Sequence, residues 1–160
     1  MEFIPETKHD LRQAINAWEN NNTQALAEYG YIGNWDTSRI TNMEDLFRGA
    51  TYFNDDISGW DVSNVTNMKG MFNRAQTFNQ PIGNWNVLKV TNMGGMFWDA
   101  HTFNQPLYSW NVSNVINMES MFDYAFAFNQ PIGNWDVSNV TDMHWMFLNA
   151  HAFNQPIGDW

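Results

Sequence analysis

The sequence predicts an α/β solenoid of 25-residue coils, closed at its start by a helical cap, and three observations carry that expectation. Tryptophans fall at 35, 60, 85, 110, 135 and 160, a spacing of 25 without an insertion. Met43, Met68, Met93, Met118 and Met143 keep the same step, as do Phe47, Phe72, Phe97, Phe122 and Phe147, and Ala50, Ala75, Ala100, Ala125 and Ala150. A fixed period of this length marks units that cannot bury their apolar face alone and stack on their neighbours. The third observation is that residues 7–30 depart from the period and carry helical signals of their own.

In the cap, Thr7 with Asp10 forms a capping-box pattern, Leu11, Ala14, Ile15 and Trp18 make one apolar face, and "ENNNTQ" breaks the helix. A second helix is expected from about Thr23 to Tyr29, ending at Gly30. Terminal repeats need a polar outer face, so the pair reads as a lid on the first coil. The layout is one domain, with residues 1–30 as cap and 31–160 as five repeats. Nothing comparable closes the other end, which leaves it open to self-association.

Within a coil, "FNQPIGNWDVSNVTDM" (128–143) recurs as "FNDDISGWDVSNVTNM" from Phe53, "FNQPIGNWNVLKVTNM" from Phe78 and "FNQPLYSWNVSNVINM" from Phe103. Ile132 with Trp135, and Val137 with Val140, read as two short extended pieces that would stack in parallel about 4.8 Å from those of the next coil. Pro81, Pro106, Pro131 and Pro156 lack an N–H and belong at a strand start or corner. Met143, Phe147 and Ala150 are spaced i, i+4, i+7, with Met146 widening the stripe, as on one face of a helix. Asn42, Asn67, Asn92, Asn117 and Asp142 stand where its N-cap would be, so each coil is expected to carry one short helix.

Composition excludes several classes of function. The chain has 160 residues and a net charge of −10, and Lys89 is its last Lys or Arg. Such acidity repels phosphate backbones, so neither nucleic acid nor an anionic membrane is an expected partner. There is no cysteine, hence no disulfide or thiolate metal site on this chain. No stretch is apolar enough to insert into a bilayer, and "MEFIPETKHD" lacks the layout of a secretion signal. That leaves a protein working inside a cell or a processed form, since the sequence stops at Trp160 within an "FNQPIGDW" unit.

The repeated side chains each admit a functional and a structural reading. The Trp column would suit stacking against sugar rings, but it runs in step with apolar columns and reads as a core or edge ladder. The Asn columns at 54, 79, 104, 129, 154 and at 64, 114, 139 would suit a polar ligand, and equally an internal ladder that satisfies turn amides. Asn21, Asn64, Asn111 and Asn139 begin N-x-S/T sequons, three of them by-products of the repeat. His101 and His151 lie two coils apart, about 10 Å, too far to ligate one ion, and His144 is as far from His151 along a helix. Asp55–Asp56 and Glu44–Asp45 lack the clustered pattern of a calcium site. No phosphate loop, nucleophile elbow or metalloprotease helix is present, so no cofactor and no catalysis are expected.

A repeating scaffold discriminates where its units disagree. The outward stripe runs Glu44, Arg48, Thr51; Lys69, Asn73, Gln76; Gly94, Trp98, His101; Glu119, Asp123, Phe126; His144, Leu148, His151. It drifts from charged to aromatic and apolar. Trp98, Tyr124, Phe126, Trp145 and Leu148, with Tyr108 where other coils have Gly, are therefore the candidate partner-binding residues. Packing between helices along the outer side explains the same residues equally well.

Units of the form "MFxxAxxFNQPIGNWDVSNVTNM", preceded by "LRQAINAWENNNTQALAEYGYIGNWDTSRITNMEDLF", resemble the BspA-like leucine-rich-repeat surface proteins, in particular their mycoplasma-type branch. The resemblance covers about residues 8–160. It implies a right-handed, leucine-rich-repeat-like solenoid, display at the cell surface or secretion, and adhesion or protein interaction, with no catalytic residues to carry over. The expectation is a non-catalytic scaffold that recognises a protein. The alternatives are a carbohydrate-binding module built on exposed aromatics and a self-assembling structural unit. No signal is seen in the chain, so a cytoplasmic location stays open.

Overall fold

The computed structural model describes residues 3–160, so the first two residues of the cap lie outside the described part. The cap forms as its signals require. α1 spans Lys8–Asn20, with the Thr7 side chain accepting from the Asp10 amide and the Asp10 carboxylate accepting from the Thr7 amide. α2 spans Asn22–Tyr29 and ends at Gly30, whose φ of 73° is cheap only for glycine. Leu11, Ala14, Ile15 and Trp18 are buried, the Arg12 guanidinium donates to the Leu46 carbonyl, and the Trp18 indole donates to Asp55 at 2.9 Å. Phe3, Tyr29 and Trp35 meet edge to face beneath the cap, where Trp18 also packs edge-on against Trp35.

After a 3-10 turn at Ile32–Asn34 the expected elements do not appear. Among the described residues there is no helix beyond these, and the coils pair only through isolated parallel bridges, Asn42 with Asn67, Asn67 with Asn92, Asn92 with Asn117 and Asn117 with Asp142. The right-handed, leucine-rich-repeat-like α/β solenoid, with short strands and one helix per coil, is therefore wrong for this chain. Its coils are built from turns.

The reason lies in where the backbone amides point. In the segment read as a helix, the N–H groups of Met43, Asp45, Phe47 and Gly49 donate at 2.7–2.8 Å to the carbonyls of Asn67, Lys69, Met71 and Asn73 in the next coil. Leu46, Arg48 and Ala50 donate back to Met43, Asp45 and Phe47, closing tight turns between those links. An α-helix holds φ near −63° throughout, whereas this segment turns left-handed twice. The first of these positions is held by Asp45, Gly70, Gly95, Ser120 and Trp145, and the second by Gly49, Arg74, Asp99, Tyr124 and Asn149. Met43, Leu46, Phe47 and Ala50 are buried all the same. Helical spacing of apolar residues is thus met by a flattened chain that faces inward at the same positions.

The Asn column does accept backbone amides, but it opens a turn instead of a helix. Asn42, Asn67, Asn92, Asn117 and Asp142 accept from the amide two residues on, at 2.9–3.0 Å. A second ladder links coil to coil: Asn79, Asn104, Asn129 and Asn154 each donate a backbone amide to the side chain of the Asn one period earlier, at 2.8–2.9 Å. Asn64, Asn114 and Asn139 donate to the carbonyls of Ser38, Leu88 and Ser113. Turns that would otherwise bury unpaired amides are satisfied by the column itself.

Aromatic columns fill the interior. Phe47, Phe72, Phe97, Phe122 and Phe147 stack at 5.5–5.7 Å, and each lies about 4 Å from a second Phe of its own coil, Phe97 on Phe103 for example at 4.0 Å. Trp35, Trp60, Trp85, Trp110 and Trp135 are 2–4% exposed, which makes this column core and removes it as a sugar platform. Trp60, Trp110 and Trp135 donate indole N–H groups to the carbonyls of Ile32, Ile82 and Leu107.

Two substitutions separate these forces. Phe97→Ala is expected to cost about 3–5 kcal/mol, since Phe97 is fully buried and touched by rings on both sides. Asn104→Ala is expected to cost about 1–3 kcal/mol, because it strips the acceptor from the Asn129 amide. Urea unfolding followed by tryptophan fluorescence checks both, and Phe97→Ala must be the larger loss.

Candidate functional site: a groove across the turn face

Three positions of each turn segment supply the lining of one groove, all but His144 and Leu148 of the residues at those positions taking part. They are Glu44, Lys69, Gly94, Glu119 and His144; Asp45, Gly70, Gly95, Ser120 and Trp145; and Arg48, Asn73, Trp98, Asp123 and Leu148. The middle row holds the left-handed backbone, so small residues suit it. A Cβ on Gly70 would come within 2.2 Å of the Asp45 carboxylate, so a larger residue there would have to displace that side chain. Gly70, Gly94 and Gly95 keep the surface low. A groove of about 460 Å³ results, crossing from Asp45 and Arg48 to Trp145.

Its third row is chemically unusual. Asn73 and Asp123 are each only 6% exposed, and Asn73 Oδ1, Asp123 Oδ1 and the Trp98 indole nitrogen are buried without a hydrogen-bond partner among the described residues. These three side chains stand in successive coils and all line the groove. The Arg74 guanidinium lies 5.2 Å from the Trp98 ring centroid, a cation–π contact. Leaving such a group unpaired costs about 1–3 kcal/mol, in a chain that elsewhere satisfies its turns by ladders.

Charge divides the groove into two halves. At its start Asp45 pairs with Arg48 at 3.3 Å, Glu44 accepts from the Asn67 side chain, and Lys69 stands nearby. At its far end Glu119 and Asp123 have no salt-bridge partner among the described residues, and the Arg74 guanidinium of that half lies over the Trp98 ring. Burial pushes the Asp123 carboxyl above the ordinary aspartate range, and the charge of Asp99 adds to it; hydrogen bonds from Asn149 and from the Tyr124 amide pull the other way. Asp36, Asp56 and Asp136 are held below that range by hydrogen bonds, first to the side chain and then to the backbone of Ser38, Ser58 and Ser138.

The candidates from sequence fall into separate places. Trp98 and Trp145 line the groove. Leu148 shares with Trp145 an apolar hollow of about 360 Å³ over the last coil, with Met143, Phe147 and Trp160. Phe126 is sandwiched between His101 at 4.6 Å and His151 at 5.4 Å, with Tyr124 edge-on at 5.9 Å, so this group forms a packed ridge beside the groove. The outer helices expected to pack these residues are absent among the described residues, but packing between neighbouring coils accounts for Phe126 all the same. Tyr108 is 58% exposed and lies outside the groove. Asn73 and Asp123 were missed as site residues. The signal was the break in their column, where Asn, Trp and Asp follow one another beside glycines.

Linkage gives Asp123 a definite sign. Its pKa is raised on folding, so its carboxyl favours the fold most fully at low pH and loses that contribution as pH rises through the folded value. The three lowered aspartates behave oppositely, contributing above the unfolded value and losing it as pH falls. Asp123→Asn is therefore expected to raise stability at pH 7 relative to wild type, and Asn73 in the same column shows that an amide is accommodated there. The gain should vanish at a pH low enough to protonate Asp123, as thermal unfolding of both proteins across pH will check.

Against known proteins, the family model described as "Mycoplasma protein of unknown function, DUF285" matches residues 13–125 and again 84–160. No curated protein and no solved structure matches the chain significantly. The two matched stretches run through the second half of α1, α2 and every coil, which places the repeat itself within that family. The chain belongs to the DUF285 family of Mycoplasma proteins.

Proposed function

We propose that the chain is a non-catalytic recognition scaffold whose turn-face groove binds a protein partner. The observation that carries this reading is the row Asn73, Trp98, Asp123, which holds three unpaired polar atoms in one groove. Trp145 supports it independently. It is 56% exposed and takes φ 57° where other coils place Gly, Asp or Ser. A bulky residue in that region costs about 1–2 kcal/mol, and burial does not offset it. Strain of this kind collects at functional positions, and tryptophan is the side chain most enriched among binding hot spots. The resemblance to BspA-like surface proteins favours display on the cell surface and an adhesive or interaction role.

Self-association is a second reading, favoured by the apolar hollow that Trp145 and Leu148 share with Met143 and Trp160. Light scattering across concentration distinguishes it, since a monomer at every concentration counts against it.

The groove reading makes a paired prediction. Trp145→Asn should leave stability unchanged or raise it by up to about 1 kcal/mol, because Asn tolerates left-handed backbone. Trp98→Ser combined with Trp145→Asn should remove the proteins that wild type enriches from a cell-surface fraction. Calorimetry reads the first and quantitative affinity enrichment the second. An unchanged set of retained proteins would place binding elsewhere.

A further inference from the structure

Resting on that reading, we infer that the acidic half of the groove receives a lysine or arginine side chain carried by an extended segment of the partner protein. Asp123 Oδ1 is a carboxylate oxygen without a partner on a residue more than nine-tenths buried, and it lines the groove. Such a group is satisfied by a donor, and most strongly by a charged one. Glu119 lines the same half, and among the described residues neither carboxylate is in a salt bridge.

Two further features select a cation over a neutral donor. The Trp98 ring already attracts one, since Arg74 lies over it at 5.2 Å. Trp145 closes the end of the groove with a second, more exposed indole. An ammonium or guanidinium between them would meet carboxylate oxygens and aromatic faces together, the combination that favours cations once water is displaced. The other half offers no such imbalance, because Asp45 is matched by Arg48. The asymmetry places the basic side chain over the Trp98–Trp145 half.

Length points to an extended segment. Five coils at about 4.8 Å give a groove near 19 Å, the span of about six residues in extended conformation. Asn73 Oδ1, two coils before Asp123, is a second unpaired acceptor, about 10 Å away by the same spacing, and suits a main-chain N–H of that segment.

Random heptapeptides selected on the wild-type chain, with counter-selection on the Trp98→Ser/Trp145→Asn double variant, test this. The expected result is a set of groove-dependent peptides sharing Lys or Arg at one position. Replacing that residue by Gln should weaken binding at least about tenfold, as should Asp123→Asn on the protein, the scale of a lost hot-spot contact. Asp61→Asn, at an exposed turn acid, should change affinity less than about twofold. Circular dichroism confirms that each variant is folded. Groove-dependent peptides without a basic residue, or insensitive to Asp123→Asn, overturn the cation assignment and leave the groove reading standing. Peptides that bind the double variant equally well, or no enriched peptide at all, overturn both.

Discussion

The rest of the structure depends on one constraint: in the turn segment alternate backbone amides are committed to the coil 24 residues onward. Met93, Gly95, Phe97 and Asp99 donate to Asn117, Glu119, Met121 and Asp123, repeating what Met43, Asp45, Phe47 and Gly49 do to the second coil. Once those bonds are made, residue i must stack on residue i+25. Asn therefore stacks on Asn, Phe on Phe and Trp on Trp, and one solution to packing and amide satisfaction serves every coil. The same bonds deny the segment its helix, because an amide given to the next coil is not free for the carbonyl four residues back.

A column that repeats for packing makes its departures conspicuous. The Asn ladder is satisfied from coil to coil, while Asn73, Trp98 and Asp123 are not, and all three lie on one face. Trp145 adds left-handed strain at the end of the same groove. For two of these departures the column itself holds a less costly residue, uncharged Asn73 in place of Asp123 and Gly70 or Gly95 in place of Trp145. The indole nitrogens of Trp85 and Trp160 are unpaired among the described residues as well, and Arg74, Asp99 and Tyr124 are left-handed outside the groove. What sets this face apart is that three unpaired atoms gather in one groove, which supports the proposed binding role.

The period, the interior and the cap were legible because each rests on a local or strictly repeated rule. Thr7 with Asp10, the Leu11 to Trp18 face and the Gly30 stop specify their helices within a few residues. The Phe and Met columns were identifiable as core because apolar side chains recurring at one position in every coil stack on one another out of water, while the Trp column read as core or edge until its burial was seen. The coil's own conformation was not legible. Met43, Leu46, Phe47 and Ala50 obey helical spacing, and the evidence against a helix was the glycine recurring at 70 and 95, in the middle of the supposed first turn. Val137 and Val140 suggested a strand, yet neighbouring coils meet as a bridge only at the Asn column. The aromatic half of the groove was visible as drift along the stripe. Its polar floor was not, because burial of Asn73 and Asp123 follows from the neighbouring coil and not from their own segment.

The groove holds a buried carboxyl, Asp123, whose Oδ1 is unpaired among the described residues and whose hydrogen bonds from Asn149 and Tyr124 do not offset its burial. The most direct test of that imbalance is a carboxyl carbon NMR titration of Asp123 beside Asp136 in the wild-type protein. Asp123 should titrate above the ordinary aspartate value of about 3.9, raised first by burial and then by the charge of Asp99, with Asp136 below that value through its bonds from Ser138. An Asp123 midpoint at or below that of Asp136 would mean that the carboxylate is already satisfied, and would contradict the account.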